Sequence, residues 1–597
     1  MKAKTILTFI GLITLIGLLG SIILFPGSGR LSGQTDANRP PNYNVNVADV
    51  RPGEYAFSNT GNPRIEGELN RMAEIEARKG HDAAVAYAMQ HRIPMANDRV
   101  VVEVEASVLL NVPNPTAATD DELKAAMDRS VAAIQDRVTA LGGNVEKVIQ
   151  SVLRCTIDIH SLEHLADIPE VQSIRQPIRV KSQVVSEGVT NIGANSYKWL
   201  TPYQVTGPAN VCVIDGGFQN YSLLLGTELP PSVTVKSFTS EESVENGEVH
   251  GTAVSEIIYD IAPQASFFLG VIRFTSDLYD ATNWAIEQKA DVISYSLGSN
   301  FGPGDGRGFE DYLARKLRAN GIYWVAAAGN SADDHWSGTF NDPDGNGWHN
   351  FSGDDEMLTF YVPAIYGSYF GVGAELRWND WGTWSDQLLA FSGATQDYDL
   401  YLYVLLDNEW VFVDSSENRQ PAFKYPYERI GGWYTDIDTD WGIKIKKKNA
   451  TQNVYFDLFV STHSAGSLEY RVPWGSLSIP ADSASVIAVG AIDAVDNFYH
   501  YYSSRGPTLD GRIKPDLCAP SLVSVSDFTY GRREEGGGFA GTSASCPHMS
   551  GAMALLKSKT PFSMEQILQI IYGRAIDMGA PGPDNVYGRG RLNLRPK

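Results

Sequence analysis

The chain has 597 residues, 43% of them hydrophobic, and a formal net charge of −22. The hydrophobic share excludes a mainly disordered chain, and the length predicts about three to five domains. The acidic balance excludes nucleic acid as a partner, which needs a basic face, and fits work outside the cell or in salt.

Lys2 and Lys4 precede an apolar run over residues 6–25. Basic residues before such a run mark export. The run is long for a signal peptide and long enough to span a bilayer, and no Ala-x-Ala cleavage site follows it. Residues 1–29 therefore read as a cleaved signal peptide or as a membrane anchor. Either reading places the rest of the chain outside, secreted or extracytoplasmic and anchored through residues 6–25. Residues 30–98 follow as a linker, rich in Pro, Asn and Gly, and a helix-forming segment from Glu66 to Gln90.

Residues 99–186 carry a compact pattern. Arg99 to Glu105 alternates as a strand, and Asp120-Asp121 opens a helix that Gly142-Gly143 stops. Val145 to Ile159 holds two strands or one long bent strand. Ser161 to Ile168 is a short helix and Val171 to Val180 a strand. That order predicts a ferredoxin-like α+β unit.

From residue 187 strands and helices alternate. The predicted strands are Val211–Asp215, Ser266–Gly270, Val292–Leu297, Ile322–Ala328 and Val486–Ala491. Helices are predicted over His250–Tyr259, Leu278–Lys289 and Phe309–Asn320. Near-continuous apolar strands with intervening helices predict an α/β fold, a parallel sheet with helices on both faces. It is split into 187–330 and 476–597.

Three stretches in this region carry chemistry. Val213-Ile214-Asp215-Gly216-Gly217 is a buried strand that stops at a carboxylate. His250-Gly251-Thr252-Ala253-Val254 opens a helix. Gly541-Thr542-Ser543-Ala544-Ser545-Cys546-Pro547-His548 follows a glycine run and leads into a helix beginning near Ser543. A serine there has its hydroxyl at the positive end of the helix dipole, beside unpaired N–H groups, although a plain N-cap has the same local signature. Serine needs a base to take its proton, and the base needs a carboxylate to fix its tautomer. The chain supplies Asp215, His250 and Ser543 in that order.

Together with Ser296-Leu297-Gly298 and Ala326-Ala327-Ala328-Gly329-Asn330, these motifs resemble those of the subtilisin-like serine proteases, the subtilases. The resemblance covers roughly 187–330 and 476–597, and departs at Gly216, where the family usually has Thr or Ser. It implies a serine endopeptidase that hydrolyses protein or peptide substrates through an acyl-enzyme, with no cofactor for catalysis. Asp215 would orient, His250 would act as base and then acid, and Ser543 as nucleophile. Asn330 and the backbone N–H of Ser543 would bind the oxyanion. Ser296, Leu297 and Gly298 would offer an edge to which a peptide adds as a strand, and Ala327, Ala328 and Gly329 a wall of the primary pocket. His548 would pack rather than act as base. The α+β unit at 99–186 resembles the family's inhibitory pro-domain. The chain's own pro-domain is thus an expected intramolecular partner, with self-processing between about Lys181 and Glu187.

Cys155, Cys212, Cys518 and Cys546 are too few for a disulfide scaffold and are expected to be buried free thiols. Residues 331–475 are an insertion between Asn330 and the rest of the catalytic domain. Nine of the twelve tryptophans fall there. Runs such as Leu376-Arg377-Trp378 and Tyr398-Asp399-Leu400-Tyr401-Leu402 alternate as strands, predicting an all-β sandwich of jelly-roll type. Within it, Asp342, Asp344 and Asn346 place oxygens at alternate positions around a glycine turn. This suits a structural Ca²⁺, and an Asp/Gly turn without metal has the same signature.

Overall fold

A computed structural model of the chain describes residues 61–595 apart from 91–92, 97, 108–111, 113–118, 178–180, 183–187, 199–206, 241–242, 246, 365–370, 434–436, 462–467, 527 and 534–535. The expected signal or anchor at 1–29 lies outside the described residues. Among the described residues no helix is long and apolar enough to cross a membrane.

The α/β region that begins near residue 209 is built on seven strands. Their spatial order is Leu517–Ser521, Val486–Asp493, Tyr323–Ala327, Val292–Tyr295, Asn210–Asp215, Ser266–Val271 and Thr234–Ser237. Every pairing is parallel. The inner strands are apolar because helices cover both faces. Helices His250–Ile261 and Thr542–Lys559 share one core with Val211, Val213, Val325 and Val489. Helices Leu278–Glu287 and Phe309–Ala319 pack on the other face against Cys212, Ile214, Ile293 and Trp324. The two outermost strands escaped the sequence reading. Thr234–Ser237 is largely exposed and polar, and Leu517–Ser521 contains Pro520, a residue that sheets tolerate at an edge.

The N-terminal α+β unit has the predicted architecture. Residues 144–157 form two strands, Asn144–Ile149 and Val152–Ile157, joined as a hairpin. Strand Arg99–Ala106 lies between Val152–Ile157 and Val171–Arg175. Helix Asp120–Ala140 starts at a capping box formed by Thr119 and Glu122. Helices Gly67–Lys79 and His81–Gln90 are not spacers: Leu69, Met72, Ile75, Ala84 and Ala88 belong to the same core as Val102, Val104 and Leu153.

The insertion is a sandwich of two four-stranded antiparallel sheets. One runs His335–Thr339, Tyr455–Val460, Val372–Trp378, Tyr427–Trp433; the other Leu358–Val362, Thr439–Lys447, Tyr398–Leu406, Glu409–Ser416. Each sheet draws its strands alternately from the two ends of the segment, which is the jelly-roll pattern. Trp378, Tyr398, Trp441 and Phe456 fill the space between the sheets.

The three units touch one another. Arg154 of the α+β unit pairs with buried Asp277 at 2.5 Å, and Lys147 with Asp280 at 3.0 Å. On the other side, Glu105 accepts from Lys424 at 2.8 Å and from the Tyr425 hydroxyl at 2.5 Å in the sandwich, and Arg71 pairs with Asp414.

Candidate active site

The carboxyl ends of the parallel strands gather the motif residues. Asp215 closes its strand, and His250 opens the helix beside it. His250 Nδ1 stands 2.8 and 2.9 Å from the two Asp215 carboxylate oxygens, with both side chains wholly buried. Gly251 is what lets the helix approach: a Cβ there would lie 2.6 Å from Gly217 O and 2.7 Å from Asp215 Cβ. At Gly216 a Cβ would meet nothing within 4 Å, so the departure from the family's Thr or Ser leaves the packing untouched. The Phe539 ring meets the imidazole edge-on at 5.4 Å.

Ser543 lies in the first turn of Thr542–Lys559, whose start is tied to the strand Leu517–Ser521 by the Ser521 hydroxyl, which accepts from Gly541 N at 2.9 Å and donates to Gly541 O at 3.1 Å. The helix contains Pro547, which has no N–H to give to the carbonyl four residues back. That carbonyl belongs to Ser543, and the Ser296 hydroxyl donates to it instead at 2.7 Å. Ser543 Oγ in turn donates to Ser296 O at 2.8 Å. The first N–H groups of the helix have no partner within it. The N–H of Ser543 is among them.

Asn330 follows the strand Tyr323–Ala327. Its Oδ1 accepts from both Thr542 N and Thr542 Oγ1 at 2.9 Å, which assigns the oxygen end of the amide and leaves Nδ2 as its donor. Thr542 was not singled out in the sequence, although a hydroxyl beside Ser543 was the available signal. Ser478 was also missed. It sits where a Cβ on Gly298 would come within 2.8 Å of Ser478 Cβ, and one on Gly329 within 2.5 Å of Ser478 Oγ and 2.6 Å of Ser504 Oγ. Gly329 also has φ +114°. Gly298 and Gly329 therefore both pack against Ser478, and Gly329 against Ser504 as well, while Ala327 and Ala328, just before Gly329 in sequence, are buried. The strand Leu297–Gly298 is occupied: Lys181–Ser182 pairs with it antiparallel, Ser182 opposite Leu297 and Lys181 opposite Gly298. The expected processing stretch beyond Ser182 lies outside the described residues up to Glu187.

Two nearby groups are structural. His548 Nδ1 lies 2.6 Å from Ala544 O, and burial pushes its pKa down to about 4. Burial likewise pushes the Cys546 thiol up to about 11, far from a thiolate at neutral pH. All four cysteines are buried and free. Asp342, Asp344 and Asn346 lie in the sandwich, away from this group. Asp342 Oδ2 accepts from Gly347 N at 3.1 Å, and Asn346 Nδ2 donates to Asp344 at 2.8 Å and to Glu356 at 2.6 Å. Among the described residues no three His, Cys, Asp or Glu side chains cluster as a metal shell.

A parallel sheet with a buried Asp–His pair and a helix-borne serine at its carboxyl edge defines the subtilisin-like class. The model of the subtilase family matches residues 209–419 and 458–590, more than half of the chain, and the protein belongs to that family. Bacillopeptidase F of Bacillus subtilis (strain 168) is 32% identical over 168 residues, covering 27% of this chain and 11% of that one. Subtilisin Savinase of Lederbergia lenta is 35% identical over 123 residues, covering 20% of this chain and 40% of that one. The chain thus spans less than half the length of either relative. Among solved structures, fervidolysin from Fervidobacterium pennivorans aligns with a TM-score of 0.41 at 14% identity, over 83% of this chain and 60% of that one.

Proposed function

We propose that the protein is an exported serine endopeptidase, made as a self-processing zymogen. The observation that carries this reading is the buried Asp215–His250 pair, with Ser543 at the head of the helix packed beside that of His250. Asp215 holds Nδ1–H, so Nε2 is the nitrogen that takes the Ser543 proton once the hydroxyl turns from Ser296 O. The serine oxygen attacks the scissile carbonyl and an oxyanion develops. Asn330 Nδ2 and the N–H of Ser543 stabilise it, the largest single contribution in acyl transfer. The imidazolium then protonates the leaving amine, and water repeats the cycle on the acyl-enzyme. Labelling with a serine-directed phosphonate tests the reading: the modified peptide should contain Ser543, and the Ser543→Ala protein should stay unlabelled. Labelling elsewhere, or none, defeats it.

Inhibition by the N-terminal unit is part of the same proposal. The Lys181–Ser182 strand lies on the edge a substrate would use, and Arg154 seats the unit on Asp277. Export is supported by the basic, then apolar, N-terminal sequence. A structural Ca²⁺ at Asp342, Asp344 and Asn346 is a secondary proposal. Asp342 Oδ1 is buried without a hydrogen-bond partner, and a cation would supply one. A rise in Tm on adding Ca²⁺, lost in Asp342→Asn, tests it.

A further inference from the structure

The chain leaves the α+β unit at Arg175 and reaches the cleft edge at Lys181. On that path the Arg175 guanidinium lies 5.3 Å from the centroid of the Phe301 ring and 5.8 Å from that of Tyr425. Phe301 belongs to the catalytic region, just past Gly298, and Tyr425 to the sandwich. Trp381, Tyr425 and Tyr427 meet Phe301 edge-on at 5.3, 5.0 and 5.0 Å, so the cluster is a joint product of both units. A cavity of about 80 Å³ opens beside it, with Glu310 in its wall. Trp381 Nε1 is buried there without a hydrogen-bond partner.

What remains when the α+β unit departs decides what this cage is for. Arg175 is paired with Glu103 at 2.6 Å, and both leave together. The aromatic rings stay behind, and so does Glu310, whose carboxyl burial pushes up to about 7. The other cation in the wall, Arg307, is already answered by Asp305 at 2.6 Å. The mature protein then presents a socket of ring faces beside the substrate edge, with the Glu310 carboxyl in its wall.

We propose that this socket is a substrate-binding site for a cationic side chain, arginine above all, carried on the amino-terminal side of the scissile bond. Arg175 occupies it in the zymogen, six residues before Lys181. A guanidinium stacks on ring faces and holds its charge at any working pH, and cation–π attraction grows when the pair is shielded from water. The site gives the inserted sandwich a direct part in choosing protein substrates while leaving short peptides untouched. The proposal rests on the peptidase reading and on release of the α+β unit.

The test uses the self-processed enzyme and a chromogenic tetrapeptide, too short to reach the socket. A synthetic peptide of residues 171–190 is added as competitor, alongside the same peptide with Arg175→Ala. The arginine peptide should compete about tenfold more tightly. Phe301→Leu and Tyr425→Leu, which keep bulk and remove the ring face, should each erase that difference while tetrapeptide hydrolysis stays at the wild-type rate, which also shows that the variants fold. Equal inhibition by the two peptides on the wild type overturns the socket. So does an arginine preference that survives in both variants. If the tetrapeptide is not hydrolysed at all and no phosphonate label appears, the peptidase reading itself has failed, and the socket with it.

Discussion

Thr542 holds the carboxamide of Asn330 twice, through its N–H and its hydroxyl, each 2.9 Å from the same oxygen. The residue before Ser543, the proposed nucleophile, thereby aims the side chain proposed to receive the oxyanion. Asn330→Ala is expected to lower kcat by 10²–10³-fold with little change in KM, on the order of the loss known for a side-chain oxyanion donor in subtilisin. Thr542→Val keeps the N–H and removes the hydroxyl. It should lower kcat by roughly tenfold and raise KM as well, because Gly329 N also donates to that hydroxyl, at 3.1 Å. Steady-state kinetics on one peptide substrate separate the two patterns.

Self-processing predicts two species for the wild-type chain on a denaturing gel and one for Ser543→Ala. The triad acts as a unit, so that variant should retain no more than a small residue of activity. A Ser543→Ala protein that still matures when purified alone would assign the cut to another protease.

Docking of the N-terminal unit on the sandwich predicts an effect at a distance from the cleft. Glu105 is buried, and Lys424 and Tyr425 are its partners across the interface. Lys424→Ala leaves that carboxylate short of its countercharge, a loss of about 2–5 kcal/mol for a buried hydrogen-bonded pair. The cleaved N-terminal fragment should then separate from the enzyme in gel filtration at concentrations where the wild-type pair still co-elutes. Co-elution unchanged in Lys424→Ala would show that the Lys424–Glu105 pair is not needed to hold the fragment.

Glu256 makes stability depend on pH. Burial raises its carboxyl from the ordinary 4.5 to about 7. The native state therefore binds more protons than the unfolded chain between those values, and stability is full below the lower and falls as pH climbs to the upper. Glu256 links the His250 helix to the loop before Ser543, accepting from Ser526 N at 2.7 Å and Thr529 Oγ1 at 3.0 Å. A glutamine keeps an acceptor for Ser526 and carries no charge. Glu256→Gln should match the wild type in Tm near about pH 4 and exceed it above about pH 7, measured by thermal melts.

Much of this was legible in the sequence because the relevant signals are local. The strand Asn210–Asp215 holds an unbroken apolar run, Val211 to Ile214, that ends in a carboxylate, and the helix from His250 opens directly on its motif. The alternation of Tyr398–Leu406 was enough to announce a sandwich strand. What stayed hidden depends on distant partners. Ser478 follows the whole insertion in sequence and meets Gly298 and Gly329 only after the sheet has closed. Helix Gly67–Lys79 has an apolar stripe but no sign of what it covers, and so read as part of a linker region. Thr234–Ser237 has neither alternation nor an apolar run, since it is an edge with little to bury.

The core strands Tyr323–Ala327 and Val486–Asp493 are neighbours, yet the whole jelly roll is encoded between them. Domains tend to fold as units, amino-terminal first, while the chain is being made. The ribosome therefore delivers the α+β unit, then Asp215 and His250, then a complete sandwich with its share of the docking surface. The strand that completes the sheet and the helix bearing Ser543 come last. On the zymogen reading proposed above, a growing chain ordered in this way would have its restraint assembled before it owned a nucleophile, and would be harmless to its own synthesis by order of arrival as well as by obstruction.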